Sequence, residues 1–525
     1  MRWVLIRPRN YSPYYDPEMQ EPLGLQYLAC YLKAAGETVL ILDCALEKMD
    51  EIRTARRAVS FLPDVIGFSL TTAQELPSVD MIYTECQRIK DHHTHKWIAG
   101  GNFVSTEPDH AAKLLPPEMQ LVRFEGETAV TMLGEHWQAP SGQSAVHRND
   151  PWYDQRILSG DAVAHLDQLP FPARPFARTL IAEHGVLNIQ ASRGCCGNCI
   201  FCASPGMSTS GKNRWRGRSI PHIVDEIQLL IENYGARSFN FIDEDFLGPN
   251  RIAGERGAGF AQEIRRRQLH MTFSIQVRPD SLSLPVIDAL AAAGLSYVFM
   301  GLETDSQELL KQWHRPSVKD PWQFIQRFRK KDIEVNVGAM LFHKSAALPD
   351  IRRLATRLHA CGLLDYRSVT NRQVAMPGSS LYNQALRSGE ISAEALGPQD
   401  VPYADPIVAA LYADLLASLA PLGPPAMEAV CALPRAVAEK RLSGNGEQTH
   451  ARIKRIDRLL RDPVLPTLLV LIEHHEQGRE TQDLVARLRQ RNFRVAMKGV
   501  VALARQIGRI TEDELREAIR NDAGI

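Results

Sequence analysis

At 525 residues the chain exceeds what one ordinary core holds, and a prior of about 100 to 200 residues per domain suggests about three domains. Its 44% hydrophobic and 23% charged residues are those of a soluble globular protein. The 61 basic residues balance 61 acidic ones, which excludes a global field directed at nucleic acid, an anionic membrane or a polyanionic substrate.

The opening apolar run, Trp3 to Ile6, is cut short by Arg7-Pro8 and is too short for a signal peptide. No run approaches the ~20 residues of a membrane helix, and the longest candidate, Val464 to Ile472, contains Pro466. A cytoplasmic chain without a membrane or nucleic-acid partner is expected. Nine cysteines, four of them crowded between 195 and 202, suit a metal or cluster better than a secreted disulfide framework.

Residues 1–137 alternate strand and helix signals as a doubly wound α/β domain does. Strands are expected at Trp3–Ile6, Val39–Leu42, Val65–Ser69, Trp97–Ala99 and Leu121–Phe124. Leu25, Leu28 and Leu32 recur at helical spacing after the first strand, and Glu125-Gly126-Glu127-Thr128 opens a helix after the fifth. Residues 138–185 are rich in Pro, Ser, Gly and Asp and read as a linker, stiffened by Leu169-Pro170-Phe171-Pro172.

From 186 to 390 a second alternation places strands at Leu187–Gln190, Phe239–Ile242, Thr272–Val277, Tyr297–Met300, Val335–Met340 and Arg367–Ala375. Six strands with intervening helices fit a partial parallel barrel. Residues 391–525 lose the strand signal. Leu460, Leu465, Leu468 and Ile472, then Val485 and Leu488, predict a helical domain, with a capping box at Thr511 and Glu514.

The sequence Ser192-Arg193-Gly194-Cys195-Cys196-Gly197-Asn198-Cys199-Ile200-Phe201-Cys202 spaces three cysteines x3 then x2 directly after an apolar strand. Thiolates ligate Fe-S clusters, and three of them leave one iron of a cubane open, the mark of a reactive centre. Cys196 falls outside the spacing and reads as a spare. Zinc would require a fourth Cys or His at proper spacing, and His222 stands about twenty residues on at the start of a helix.

Cys195, Cys199, Phe201 and Cys202 match the Cys-x3-Cys-x-aromatic-Cys signature position by position, and the chain resembles the radical S-adenosylmethionine (SAM) enzymes over residues 187–390. The resemblance implies a 4Fe-4S cluster on Cys195, Cys199 and Cys202. It also implies that Glu244 or Asp243, at the acidic end of Phe241-Ile242-Asp243-Glu244-Asp245-Phe246, receives the amino group of SAM. Ser274, Gln276 and Arg278 resemble the strand that meets the ribose and carboxylate, and Glu303 the Gly-Ile-Glu strand beside the adenine. The strand ending Met340-Leu341-Phe342-His343 lacks the Gly-x-Pro-Gly turn of the family, so the substrate pocket departs from its pattern there. Trp215, Trp313, His343 and Arg372 are weaker candidates, read first as structural or surface residues.

Residues 1–135 are similar to the cobalamin-binding domain that precedes the barrel in one large subclass. The pieces that carry the likeness are Pro22-Leu23-Gly24-Leu25, the loop Gly67 to Thr72, Gly100-Gly101-Asn102 and Glu125-Gly126-Glu127. Doubly wound sheets bind ligands at the carboxyl ends of their strands, where these loops stand. Ser69, Thr71, Thr72, Gly100, Gly101, Asn102, Glu125 and Gly126 are therefore the expected cobalamin contacts. The Asp-x-His-x-x-Gly motif is absent, because Asp91-His92-His93 continues to Lys96 at the glycine position. No histidine lower ligand to cobalt is expected, and His92, His93 and His95 read as a solvated surface.

The resemblance implies SAM cleavage to a 5'-deoxyadenosyl radical and methylation of an unactivated carbon of a small-molecule substrate, a specialised metabolite, with an electron donor such as flavodoxin or ferredoxin. An oxidative cyclase or rearrangement enzyme and a cobalamin-free dehydratase or epimerase with a vestigial first domain are the alternatives. A cobalamin sensor or carrier with an inactive barrel fits an intact cysteine triad least well.

Overall fold

Trp3 to Ile6 have at most 1% of their surface exposed, which a strand achieves only when covered on both faces. In the computed structural model, which describes residues 1–12, 21–89, 95–138, 156–207, 214–423 and 458–507, β1 (Arg2–Arg7) sits inside a six-stranded parallel sheet with β2 (Thr38–Asp43), β3 (Val65–Ser69), β4 (Lys96–Gly100), β5 (Gln120–Phe124) and β6 (Ile157–Gly160). The order is β2-β1-β3-β4-β5-β6. The chain reverses direction of winding between β1 and β3, and a doubly wound sheet of this order opens its ligand crevice there. The five expected strands are present. The sixth, β6, comes from the stretch read as linker: only four residues long, it is too short to show alternation, and it pairs Leu121 with Ile157 through Phe124 with Gly160.

Helices α1 (Leu23–Ala34), α2 (Glu51–Ser60), α3 (Leu76–Arg88), α4 (Asn102–Thr106), α5 (Pro108–Leu114) and α6 (Gly126–Gln138) connect these strands. His92 and His93 lie outside the described residues. His95 is half-buried rather than solvated, with Nδ1 2.7 Å from the carbonyl of Pro63 and its ring edge-on to Trp97.

The chain divides into two compact units, the first made of Met1–Phe299, Trp313–Glu334 and Ala375–Gln399, the second of the remainder. The former linker adds α7 (Ala177–His184) to the first unit. There the second alternation forms β7 (Leu187–Ile189), a two-stranded ladder β8 (Ser192–Arg193) with β9 (Arg216–Gly217), then α8 (Ile220–Tyr234), β10 (Ser238–Phe241), α9 (Asn250–Arg266), β11 (Thr272–Val277) and β12 (Leu295–Glu303). Strands β7, β10, β11 and β12 lie side by side in chain order. One face packs Phe239, Phe241, Phe273 and Ile275 against the helices, with Phe241, Phe246, Phe260 and Phe273 in edge-to-face contact. The opposite face is polar: the register sets Asn188, Asn240 and Ser274 in a row, Ser274 donating to Asn240 (2.7 Å) and Asn240 to Asn188 (3.0 Å).

β12 continues into the second unit, where β13 (Glu334–Ala339) runs beside it and Met340 N donates to Glu303 O at 2.8 Å. Of the sixth barrel strand expected at Arg367–Ala375 there remain a parallel bridge between Phe342 and Arg372 and the two-residue strand Val374–Ala375, which forms a small ladder with Gln399–Asp400. The first half of the expected strand is a helix, Tyr366–Thr370, because Asp365 and Ser368 form a capping box. Helices Pro406–Leu419, Val464–Glu476 and Gln482–Ile507 form the expected helical region, with Leu411, Leu415, Leu468 and Ile472 buried. Pro466 stands in the first turn of its helix, where its missing N–H costs nothing. Thr511 and Glu514 lie outside the described residues. No described helix is long and apolar enough to cross a membrane.

Candidate functional site

The cluster loop begins at the β8–β9 ladder, where Gly194 takes φ 76° and passes so close to the Arg214 carbonyl that a Cβ would overlap it. Gly197 then keeps open the space between two sulfurs: a Cβ there would lie 3.4 Å from Cys195 Sγ and 3.6 Å from Cys199 Sγ. Its N–H donates to Cys195 Sγ at 3.3 Å. Burial raises the Cys195 thiol and pushes Cys202 up to about 11, and Cys202 also feels the charges of Cys199 and Cys195. Cys196 is directed elsewhere, its Sγ 4.0 Å from the Asp245 carboxylate.

The Cys195 and Cys199 sulfurs border one space, Cys202 stands close enough to feel both, and three thiols so placed suit a cubane. Among the described residues no three Cys, His, Asp or Glu side chains converge on one metal position, whereas a cubane binds each thiolate through a different iron. His222 is occupied as well, its Nδ1 accepting from Arg218 Nε at 3.0 Å.

The three consecutive acids after β10 have three different surroundings. Asp243 is buried and both its oxygens are taken, by Ala191 N (3.0 Å) and the Ser192 hydroxyl, so it braces the start of the cluster loop. Glu244 opens onto a cavity, and the surrounding protein raises its pKa. Asp245, fully buried, has its pKa pushed up to about 7 by burial against the pull of Arg278, whose Nε is 3.5 Å away. Arg278 is held by Asp280 (2.6 Å) and stands beside the loop, its Nη1 3.6 Å from the place of a Gly197 Cβ. Ser274 and Gln276 lie on the polar face of the sheet, Gln276 exposed. Glu303 falls in the second unit with φ 61°.

The cavity, of about 500 Å³, lies wholly within the first unit. One wall is the carboxyl edge of the six-stranded sheet, with Ser69, Thr71, Gly100, Gly101, Asn102, Glu125 and Gly126, and with Gly24 at the start of α1. The other wall carries Gln190, Gly194, Ser204, Met207, Ile242 and Glu244. Thr72 does not line it. Thr72 caps a helical turn in a reciprocal box with Glu75 and accepts from Asn10 at 3.0 Å. Glu125 lines the cavity but its carboxylate is committed to Arg193 (3.0 Å), Arg216 (3.1 Å) and Val163 N (2.8 Å). Burial opposes its ionisation, and the two guanidiniums nevertheless hold its pKa below the usual value.

Sequence reasoning missed the charged pairs that join these walls. Arg193 also binds Glu127 (2.6 Å), so the residue two before Cys195 is tied to the first turn of α6. Deeper, Arg174 bridges Glu21 (2.6 Å) and Glu226 (2.7 Å), Arg218 binds Glu226 (2.5 Å), and Glu21 accepts from Asn188 N (3.2 Å). No spacing rule links residues 21, 174 and 226, and no local signal in the sequence marks the set. Trp215 is structural, donating to Asp245 O at 2.9 Å beneath the Arg256 guanidinium. Arg372 pairs with Asp400 and covers the Tyr412 ring.

The radical SAM superfamily model matches residues 189–354 and the B12 binding domain model residues 18–133. These matches give the chain a B12-binding domain ahead of a radical SAM domain, two domains whose cofactors are cobalamin and, for the second, a 4Fe-4S cluster and SAM. A Pyrococcus horikoshii protein named an uncharacterized methyltransferase is 26% identical over 306 residues, covering 55% of this chain and 62% of that protein. The hopanoid C-3 methylase of Methylococcus capsulatus is 25% identical over 330 residues, covering 61% of this chain and 60% of the methylase. The chain spans less than two thirds of either relative. The cobalamin-dependent S-adenosylmethionine radical enzyme OxsB, solved with aqua-cobalamin and S-adenosylmethionine bound, shares the fold with a TM-score of 0.77 over 100% of this chain and 83% of its own, at 15% identity.

Proposed function

We propose that the protein is a cobalamin-dependent radical SAM methyltransferase that methylates an unactivated carbon of a small specialised metabolite. The observation that carries this reading is one shared cavity, in which the carboxyl-edge loops of β3, β4 and β5 face Glu244 and the residues flanking the cluster loop. When bound, the cluster supplies the electron that cleaves SAM and cobalamin supplies the methyl group.

Cys195, Cys199 and Cys202 would hold the cluster, with Gly197 sparing the space between sulfurs. Of the two acids named for the amino group of SAM, Glu244 suits the role, since its carboxylate faces the cavity while that of Asp243 is already fully bonded. Ser274, Gln276 and Arg278 are the proposed contacts for the remaining polar groups of SAM, and Glu303 is proposed for its adenine. Ser69, Thr71, Asn102 and the bare backbone at Gly100, Gly101 and Gly126 would border cobalamin. Thr72 and Glu125 support those loops rather than touch the ligand through their side chains. The proposed domains are 1–137 for cobalamin, 186–390 for cluster and SAM, and 391–525 as a helical region, with a one-electron donor such as flavodoxin or ferredoxin as partner.

The test is anaerobic reconstitution with and without cobalamin, followed by the mass of the product from candidate substrates. A gain of one methylene that requires cobalamin supports the reading; a changed product without that gain, or turnover indifferent to cobalamin, refutes it.

A further inference from the structure

The stretch between Cys199 and Cys202 is gripped from two directions. Trp313, buried, sets its ring edge-on to Phe201 (5.8 Å, 87°), and its carbonyl accepts from Ile200 N at 3.1 Å. Ile200 O in turn accepts from Leu381 N at 2.8 Å. Two residues beyond Trp313, Nη1 of Arg315 approaches Cys199 Sγ to 3.4 Å. Pro316 follows, which restricts Arg315 to extended backbone and narrows the directions its side chain can take.

We infer that Arg315 sets the reduction potential of the cluster, by donating a charged N–H to the sulfur of Cys199. This rests on the reading that Cys199 is a cluster ligand. A guanidinium is protonated at every working pH and presents its donors in a fixed plane. A ligating thiolate is a stronger acceptor than a thiol, and a one-electron reduction of the cluster adds negative charge that its sulfurs share. A fixed cation on one of those sulfurs stabilises the reduced form more than the oxidised form and raises the potential. Hydrogen bonds to sulfur, net charge and solvent exposure are the protein's means of setting Fe-S potentials. Arg278, beside the same loop, is held by Asp245 and Asp280.

The experiment uses the full chain, reconstituted anaerobically with iron and sulfide, and compares the parent with Arg315→Met and Arg315→Lys. Iron per chain and the midpoint from a dye-mediated spectroscopic titration are the readouts. Arg315→Met is expected to keep its iron while its reduced-to-oxidised ratio at the parent midpoint falls about tenfold, equivalent to about 59 mV for one electron. Arg315→Lys, which keeps charge without the planar donor, should fall between the two. An unchanged midpoint in a fully loaded Arg315→Met protein overturns the inference. If that variant fails to hold iron, Arg315→Lys decides: a lowered midpoint supports the role, and an unchanged midpoint or lost iron overturns it. Cys199→Ala with the parent's iron content would instead sink the ligand assignment beneath it.

Discussion

Gly24 and Gly101 both border the cavity, yet a side chain means different things at each. At Gly101 the backbone has φ 103°, and a Cβ would overlap the carbonyl of Leu70. Gly101→Val therefore strains the β4 loop by about 1–3 kcal/mol before any ligand is considered, and loss of cobalamin in that variant would not separate a blocked site from a disordered loop. Gly24 has no heavy atom within 4 Å of its Cβ position and stands in the first turn of α1. A side chain there gains up to about 1 kcal/mol of helix stability over glycine and projects into open space. Gly24→Phe should keep the fold and the cluster while its ring competes for the cavity. Forcing that overlap costs a bound ligand about 1–3 kcal/mol, or roughly 5- to 150-fold in retention. Cobalamin and iron per chain, read after anaerobic reconstitution and desalting beside the unfolding midpoint, are the assay. A Gly24→Phe protein that folds normally and retains cobalamin as well as the parent would refute the placement of the ligand.

Further outcomes follow from the same geometry. Arg174→Met strands the buried Glu21 carboxylate and should cost about 3–5 kcal/mol in chemical denaturation, with Glu21→Gln in the same chain recovering a large part; a loss under about 1 kcal/mol would show that the network holds little. Alanine at Cys195, Cys199 or Cys202 should abolish iron loading and 5'-deoxyadenosine release, whereas Cys196→Ala should leave both near the parent's level; the reverse pattern contradicts the assignment. Glu244→Gln should weaken SAM binding by about 2–5 kcal/mol in equilibrium dialysis, while Asp243→Asn should act chiefly on stability. Burial lowers the His343 pKa to about 4, so the unfolded chain binds the extra proton between about pH 4 and 6.5 and stability rises with pH across that window. The rise should reach about 3 kcal/mol at 1.36 per unit, and a His343→Gln variant with an undiminished slope would assign it to another group.

Local chemistry was legible in the sequence wherever a short stretch carries its own constraint. The x3-x2 cysteine spacing marks a loop able to surround a cluster, the apolar runs of four or five residues mark buried parallel strands, and their glycine and hydroxyl endings mark the edge where a doubly wound sheet binds ligands. The capping box at Asp365 and Ser368 was equally local, and it turned the first half of the sixth strand expected from the strand–helix alternation into a helix. Tertiary structure alone decided which of three consecutive acids faces the cavity. Alternation along a strand end assigns faces, but it is the positions of Ala191 and Ser192 that consume Asp243, and that of Arg278 that draws on Asp245. The same holds for Thr72, drawn into a cap by Glu75, for β6, which as four residues has meaning only beside β5, and for the pairing of Glu21 with Arg174 across 153 positions. Buried charges are stable only when a partner arrives from elsewhere in the chain, and the identity of that partner is a property of the packed fold.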